Sequence, residues 1–255
     1  MKRVVTALAL IPIVVYVVLW ANFWIFLAVL AGVACLCYRE FDGIAAGYGY
    51  GAPGPMGYGA GLLLLVVDRD AWILLTAVAL VSLALAMRAE NLGTSLPGAA
   101  LRLMGIVYIF GTWKCAIPLR DRNAHWLMFA LLVNWAGDIG AYYVGRGLGR
   151  HRLAQRISPK KTWEGAAGSV VASALIAGGY LLRFVGGLTV AQVLAVTVAA
   201  NVAGQVGDLA ESAMKRGANV KDSGTLLPGH GGMLDRVDST LFALPVVYAY
   251  LRFVG

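Results

Sequence analysis

The residues best suited to chemistry lie in one polar stretch, residues 212–238, SAMKRGANVKDSGTLLPGHGGMLDRVD. It gathers Lys215, Arg216, Lys221 and Arg236 around a Pro228-Gly229-His230-Gly231-Gly232 turn. It closes on Asp235 and Asp238, which are three apart and so share a face if the segment is helical. Just upstream, Asn201, Gln205 and Asp208 recur at i, i+4 and i+7, and the polar stripe continues through Glu211, Ser212 and Lys215. Interhelical hydrogen bonding accounts for Asn201 and Gln205, whereas a carboxylate at a membrane boundary needs a cation. A hard cation such as Mg²⁺ takes oxygen from one or two carboxylates and completes its shell with phosphates and water. Asp208, Asp235 and Asp238, gathered by helix packing, would supply such a site. Capping of a helix N-terminus explains one of these aspartates, not three. On this reading the charge of Asp235 serves a metal rather than packing, so Asp235→Asn would leave the fold intact. Successive glycines let backbone N–H groups converge on a phosphate, and His230 could bond that phosphate or close the turn. Carboxylates for a metal beside cations for phosphates equip a protein for phosphoryl or nucleotidyl transfer, which runs on positioning and charge neutralisation.

A second cluster reads Ile157-Ser158-Pro159-Lys160-Lys161-Thr162-Trp163-Glu164-Gly165. Ser158 before Pro159 predicts a helix N-cap and first helical position. Lys160, Lys161, Thr162 and Glu164 then crowd the mouth of that helix, where an anion is favoured, and we read a phosphate or nucleotide contact there. Asn134, Asp138 and Tyr142 fall at i, i+4 and i+8 on one further face. They serve either helix contacts or the wall of a substrate cavity. Arg146, Arg150, Arg152 and Arg156 are read as contacts to anionic headgroups that fix topology.

The elements that must position these groups are membrane helices. The 255 residues are 60% hydrophobic and 13% charged, with mean hydropathy +0.74. A soluble domain averages about 45–50% apolar and about 25% charged. The expected fold is therefore all-α, a polytopic integral membrane protein. A net charge of +8 then points to cytoplasmic loops and anionic phospholipids rather than nucleic acid. Cys35, Cys37 and Cys115 lie in apolar surroundings and read as packing residues. Apolar runs predict about nine spans, near residues 4–20, 22–38, 51–67, 71–87, 99–119, 124–144, 165–182, 188–207 and 239–254. With the N-terminus in the cytoplasm, most Lys and Arg fall inside, including the loops 145–164 and 208–238. The first span lacks a cleavage pattern and reads as retained. The lone Gly49-x-Gly51-x-x-Gly54 has no strand–helix context and carries no weight as a nucleotide fingerprint. We divide the chain into N-terminal helices, residues 1–123, and a C-terminal catalytic region, residues 124–255.

The two polar segments together resemble the phosphatidate cytidylyltransferase (CDP-diacylglycerol synthase) family. The resemblance rests on Ser212, Lys215-Arg216, Lys221-Asp222, Gly224, Leu227-Pro228, His230-Gly231-Gly232 and Asp235-Arg236-Val237-Asp238. It is joined upstream by Ser158-Pro159-x-Lys161-Thr162-Trp163-Glu164-Gly165 and by Gly207-Asp208. It covers roughly the C-terminal half from Asn134, while the N-terminal spans are similar only in hydropathy. The resemblance implies that CTP and phosphatidate give CDP-diacylglycerol and pyrophosphate. The compact chain, with no organelle-targeting segment read in it, leads us to expect a bacterial inner membrane with the active site facing the cytoplasm. The resemblance also implies that Asp208 and Asp235 hold the divalent metal, with Asp238 close by and able to hold a second cation. Lys215, Arg216, Lys221, Arg236 and His230 would neutralise triphosphate or the leaving pyrophosphate, beside Asp222. Ser158, Lys161 and Thr162 would contact a phosphate or the nucleotide, with Lys160, Glu164, Ser212, Gly231 and Gly232 near the substrates. A homodimer is also implied.

Other readings stay open from sequence. A CTP-dependent polyprenol or phytol kinase shares the setting, but not the whole 212–238 pattern. A transporter would place polar stripes along a path near mid-membrane, usually with repeated halves, and no repeat is visible here. A scaffold would leave three acidic residues and the His-Gly-Gly turn unexplained.

Overall fold

The computed structural model describes residues 2–50, 54–88, 91–226, 229 and 231–254. Its apolar runs are helical because, in lipid, a backbone must satisfy its own polar groups within the segment. Nine helical rods occur among the described residues: α1 Lys2–Leu19, α2 Phe23–Gly47, α3 Gly54–Val66, α4 Ala71–Ala86, α5 Leu92–Arg122, α6 Ala124–Leu148, α7 Trp163–Phe184, α8 Val190–Gly217 and α9 Leu234–Phe253. Five of them, α2, α5, α6, α7 and α8, are long and apolar enough to cross a membrane. The apolar part of α1 and the helices α3 and α4 are shorter. The protein is a multi-pass helical membrane protein. Two rods are not uniform α-helix: α5 passes through a π turn at Ile106–Gly111 and α7 through one at Ala174–Gly178.

One expectation fails between α6 and α7. Ser158 and Pro159 do not start a helix. They belong to a short strand, β2 Ser158–Thr162, paired antiparallel with β1 Arg152–Ala154, in a fold that is otherwise α-helical. The residue before a proline is pushed toward extended backbone, which suits Ser158 to a strand. The helix begins instead at Trp163, and the β-branched Thr162 is its cap. Thr162 is extended at φ −128°, and its Oγ1 accepts from Gly165 N at 3.1 Å.

The polar boundaries also shift. The eighth rod continues through Asp208 to Gly217, so Asn201, Gln205, Asp208, Glu211, Ser212 and Lys215 ride one unbroken helix. The described chain divides into two compact units that interleave in sequence. Unit 1 comprises Met1–Phe26, Cys115–Ala213 and Val237–Gly255; unit 2 comprises Leu27–Lys114 and Met214–Arg236.

In unit 1, α6 and α7 approach closely through small residues. A Cβ on Gly140 would strike Ala172 and the Gly168 carbonyl, and one on Gly168 would strike Val144. Arg120 closes the end of α1 by donating to the carbonyls of Val18 and Ala21, with its guanidinium 4.6 Å from the Phe26 ring. Unit 2 packs around the fully buried Tyr38, Phe41 and Phe110, with Gly57 set against Tyr38 and Gly61 against Phe110. Lys114 donates to the Leu65 and Val67 carbonyls at the end of α3.

Candidate functional site

Unit 1 contains a cavity of about 400 Å³ walled by α6, β2, α7 and α8. Its inner wall is a neutral polar network. Asn201 Nδ2 donates to Ser169 Oγ at 2.9 Å and to Ser173 Oγ at 2.8 Å, and its Oδ1 accepts from Gln205 Nε2 at 2.6 Å. Gln205 Nε2 also reaches the Ala166 carbonyl at 3.2 Å. Asn134 donates to the Ala130 carbonyl at 2.9 Å and to Thr240 Oγ1 at 3.4 Å. Buried amides satisfied in this way lock their rotamers and give the cavity a fixed shape.

The outer wall is charged. Lys161 on β2 forms an ion pair with Asp208 on α8, each side chain about one-third exposed or less. Ser212 Oγ lies 3.4 Å from the other oxygen of Asp208. Lys160, Asp138 and Arg146 line the same space. The capping role of Thr162 fixes the direction in which Lys160 and Lys161 leave the hairpin. Glu164 accepts from the backbone N–H groups of Arg150 and His151 and from His151 Nδ1 at 2.6 Å, tying the end of α6 to the start of α7.

Asp208 reaches its neighbours because α8 carries glycine at two contact points. A Cβ on Gly204 would fall on the Asn134 amide oxygen, and one on Gly207 would lie 2.7 Å from the Asp238 carbonyl oxygen and 2.8 Å from the Phe242 ring. This packing places Asp238 in a field of like charge. Burial first, then the carboxylates of Asp208, Glu211 and Asp138, push its pKa well above the usual carboxylate range, against one favourable bond from Ser239 N at 2.6 Å. Crowded carboxylates with oxygen-only donors fit a hard cation. Among the described residues, no three His, Cys, Asp or Glu side chains converge to hold a metal ion. The fit is thus to the Mg²⁺ pattern, in which one or two carboxylates bind and substrate phosphates complete the shell.

Asp235 has a different setting, within unit 2. Its side chain is 5% exposed. One oxygen pairs with Lys215, and the other accepts from Ser223 N at 2.9 Å and Gly232 N at 2.8 Å. Burial works to raise its pKa, but the Lys215 ammonium and the two N–H donors outweigh it and hold the group below the usual range. In the protein alone Asp235 is thus the counter-ion of Lys215 and a brace for the turn.

The residue that sequence reasoning missed is Glu40, on α2. It is 8% exposed and accepts from Ser223 Oγ at 2.8 Å, Met233 N at 2.8 Å and Leu234 N at 2.7 Å. The signal was present: Arg39, Glu40 and Asp42 interrupt an apolar run, and a carboxylate inside a span is a functional candidate by default. The glycines beside it are required. A Cβ on Gly232 would collide with Glu40 and Ser223, and Gly229 and Gly231 both sit at φ +78°. Lys221, Asp222 and Arg236 are exposed, and Arg216, also exposed, donates to the Val220 carbonyl at 3.1 Å. His230, with Leu227 and Pro228, lies outside the described residues.

The chain matches the Cytidylyltransferase family over residues 1–254. It is 41% identical over 149 residues to a phosphatidate cytidylyltransferase of Staphylococcus saprophyticus, covering 58% of this chain and 57% of that protein. It is 44% identical over 150 residues to the protein of that name from Staphylococcus haemolyticus, with the same coverage. It is 41% identical over 153 residues to the one from Bacillus subtilis, covering 58% of this chain and 56% of the relative. The chain thus spans less than two thirds of the length of these relatives.

Proposed function

The chain belongs to the cytidylyltransferase family, and from that premise we propose that it transfers the cytidylyl group of CTP to phosphatidate, giving CDP-diacylglycerol and pyrophosphate. The observation that carries this reading is the unit 1 cavity, where Lys161, Asp208 and Lys160 meet a neutral polar wall. The names of the relatives support it.

A phosphate oxygen of the lipid forms a bond to the α-phosphorus of CTP as the bond from that phosphorus to its β-bridging oxygen breaks, and pyrophosphate carries away the electron pair. Mg²⁺ would be held by Asp208 and Asp238 and would supply charge neutralisation for the phosphates, with a second cation beside Asp238, where Glu211 and Asp138 deepen the negative field. Lys161 acts on the triphosphate. Paired with Asp208 in the protein alone, it is already ordered at the cavity wall and exchanges its carboxylate for phosphate oxygens when CTP arrives. Lys160 stands beside it at the cavity wall. Thr162 holds both lysines by fixing the strand-to-helix corner. Asn134, Asn201 and Gln205 keep the inner wall rigid and offer neutral polar groups to the nucleotide. Arg216, Lys221, Arg236 and His230, with Gly231 and Gly232, are assigned to phosphate binding on the sequence pattern that they carry.

The fuller topology belongs to this proposal. We assign nine spans, an N-terminus in the cytoplasm, and an inner-membrane location with the active site facing cytoplasmic CTP. Anionic phospholipids contact the basic hairpin, and two copies of the chain associate. The test is pyrophosphate release by the purified protein in detergent with Mg²⁺. Release that requires both CTP and phosphatidate, with a CDP-lipid product, supports the assignment. A nucleoside diphosphate with a phosphorylated polyprenol would replace it by a kinase. No turnover by folded protein would move the reading to transport.

A further inference from the structure

The unit 1 cavity carries more positive charge than its own carboxylates use. Three cations line it: Arg146, Lys160 and Lys161. Lys161 is matched by Asp208. Among the described residues, no carboxylate pairs with Arg146 or Lys160. The Arg146 guanidinium donates to the neutral hydroxyl of Tyr142 at 2.8 Å and lies 6.0 Å from that ring. Asp138 also lines the cavity, so its wall sets three cations against two carboxylates, and this net positive charge with two cationic donors suits an anion.

The depth of Arg146 says which anion. The cavity wall follows α6 from Asn134 to Arg146, about 18 Å at the rise of an α-helix. Asn134 is 6% exposed and marks the inner end. At the other end, the exposures of Tyr142, Tyr143 and Trp163 are 56%, 69% and 61%. Aromatic rings with a polar tip collect at the headgroup level of a bilayer. Arg146 stands one helical turn beyond Tyr142, toward water, where lipid phosphates lie.

We propose that Arg146, assisted by Lys160, grips the phosphomonoester of the lipid acceptor and selects it against lipids whose phosphate is a diester. A phosphomonoester carries about −1.5 to −2 charge and three terminal oxygens. The planar guanidinium takes two oxygens as a fork, and the ammonium of Lys160 supplies the second charge. One oxygen is left to attack. A diester offers a single charge and two such oxygens, so it satisfies the fork and leaves nothing to react. The assignment rests on the cytidylyl-transfer reading and adds the residue that recognises the acceptor.

The same cations could serve the terminal phosphate of CTP, and kinetics separate the two sources. Pyrophosphate release is measured in mixed micelles for wild type, Arg146→Ala, Arg146→Lys and Lys160→Ala, varying phosphatidate at saturating CTP and then CTP at saturating phosphatidate. Arg146→Ala should raise the KM for phosphatidate about tenfold or more and leave the KM for CTP unchanged. Arg146→Lys should fall between, because it keeps the charge and loses the fork. Lys160→Ala, on the exposed hairpin, should raise the same KM and keeps the test open if Arg146→Ala fails to fold. A rise in the KM for CTP instead, or no change in either KM, overturns the assignment while the reaction stands. A folded wild type that turns over neither substrate removes the reaction and this assignment together.

Discussion

The backbone N–H of Leu234 donates to Oε2 of Glu40 at 2.7 Å, across 194 residues of sequence. Glu40 also accepts from Met233 N and Ser223 Oγ, so one buried carboxylate fixes both the turn and the first residues of α9. Glu40→Ala would leave these donors without an acceptor. We expect a loss of about 3 kcal/mol or more, since each buried unsatisfied donor costs about 1–3 kcal/mol. Glu40→Gln keeps one acceptor oxygen and should cost less. Chemical unfolding in detergent measures both, and an Ala variant as stable as wild type would refute the bracing role.

Asp235 and Lys215 form a buried ion pair within unit 2, with side chains 5% and 10% exposed. Asp235→Asn should therefore destabilise the protein. Removing one partner of a buried pair costs about 3–5 kcal/mol, because the other charge is left alone. Acid should have a related effect. The Asp235 pKa is depressed in the folded protein, so its contribution is present above the unfolded value of about 3.9 and is lost as pH falls through the folded value. Stability curves against pH should show this acid-side loss in wild type and not in Asp235→Asn.

Asp238 is held against the carboxylates of Asp208, Glu211 and Asp138. Neutralising it relieves that repulsion in the metal-free protein. Asp238→Asn should unfold at higher denaturant, by about 0.5–2 kcal/mol, while pyrophosphate release is lost. A variant that is less stable and still active would show that Asp238 is structural.

Lys161 is the cation that Asp208 holds ready at the cavity wall. Lys161→Ala should raise the KM for CTP by about tenfold or more, as expected when a charge-assisted contact to phosphate is removed. An unchanged KM would place Lys161 with the structural residues.

Gly207 sets the spacing between α8 and α9. A Cβ there meets the Asp238 carbonyl and the Phe242 ring. Gly207→Ala should cost about 1–3 kcal/mol of stability through overpacking. Its activity should fall further than its stability accounts for, because Asp208 and Asp238 move apart. Thermal unfolding and turnover measured on one preparation test this, and full activity would show that the spacing is immaterial.

Much of this protein was legible in its residues. Apolar runs announced the helices, because backbone groups in lipid have no other way to be satisfied. The stripe from Asn201 to Lys215 was readable because side chains three and four apart share a helix face, and α8 carries it without a break. Lys161 and Asp208 were both singled out, but only the fold paired them, since β2 and α8 are separate elements that no periodicity relates. Ser158 misled because Ser-Pro serves a helix start and an extended strand alike, and cross-strand pairing with Arg152–Ala154 decided between them. Glu40 gave only the weak sign of a charge in an apolar run. Its role depends on three donors more than 180 residues away, and contacts at that range are set by packing alone. Sequence determined which groups are present and which share a helix face. Tertiary structure decided what surrounds the carboxylates in the protein alone: Asp235 is held by a lysine, whereas Asp238 is crowded by like charge.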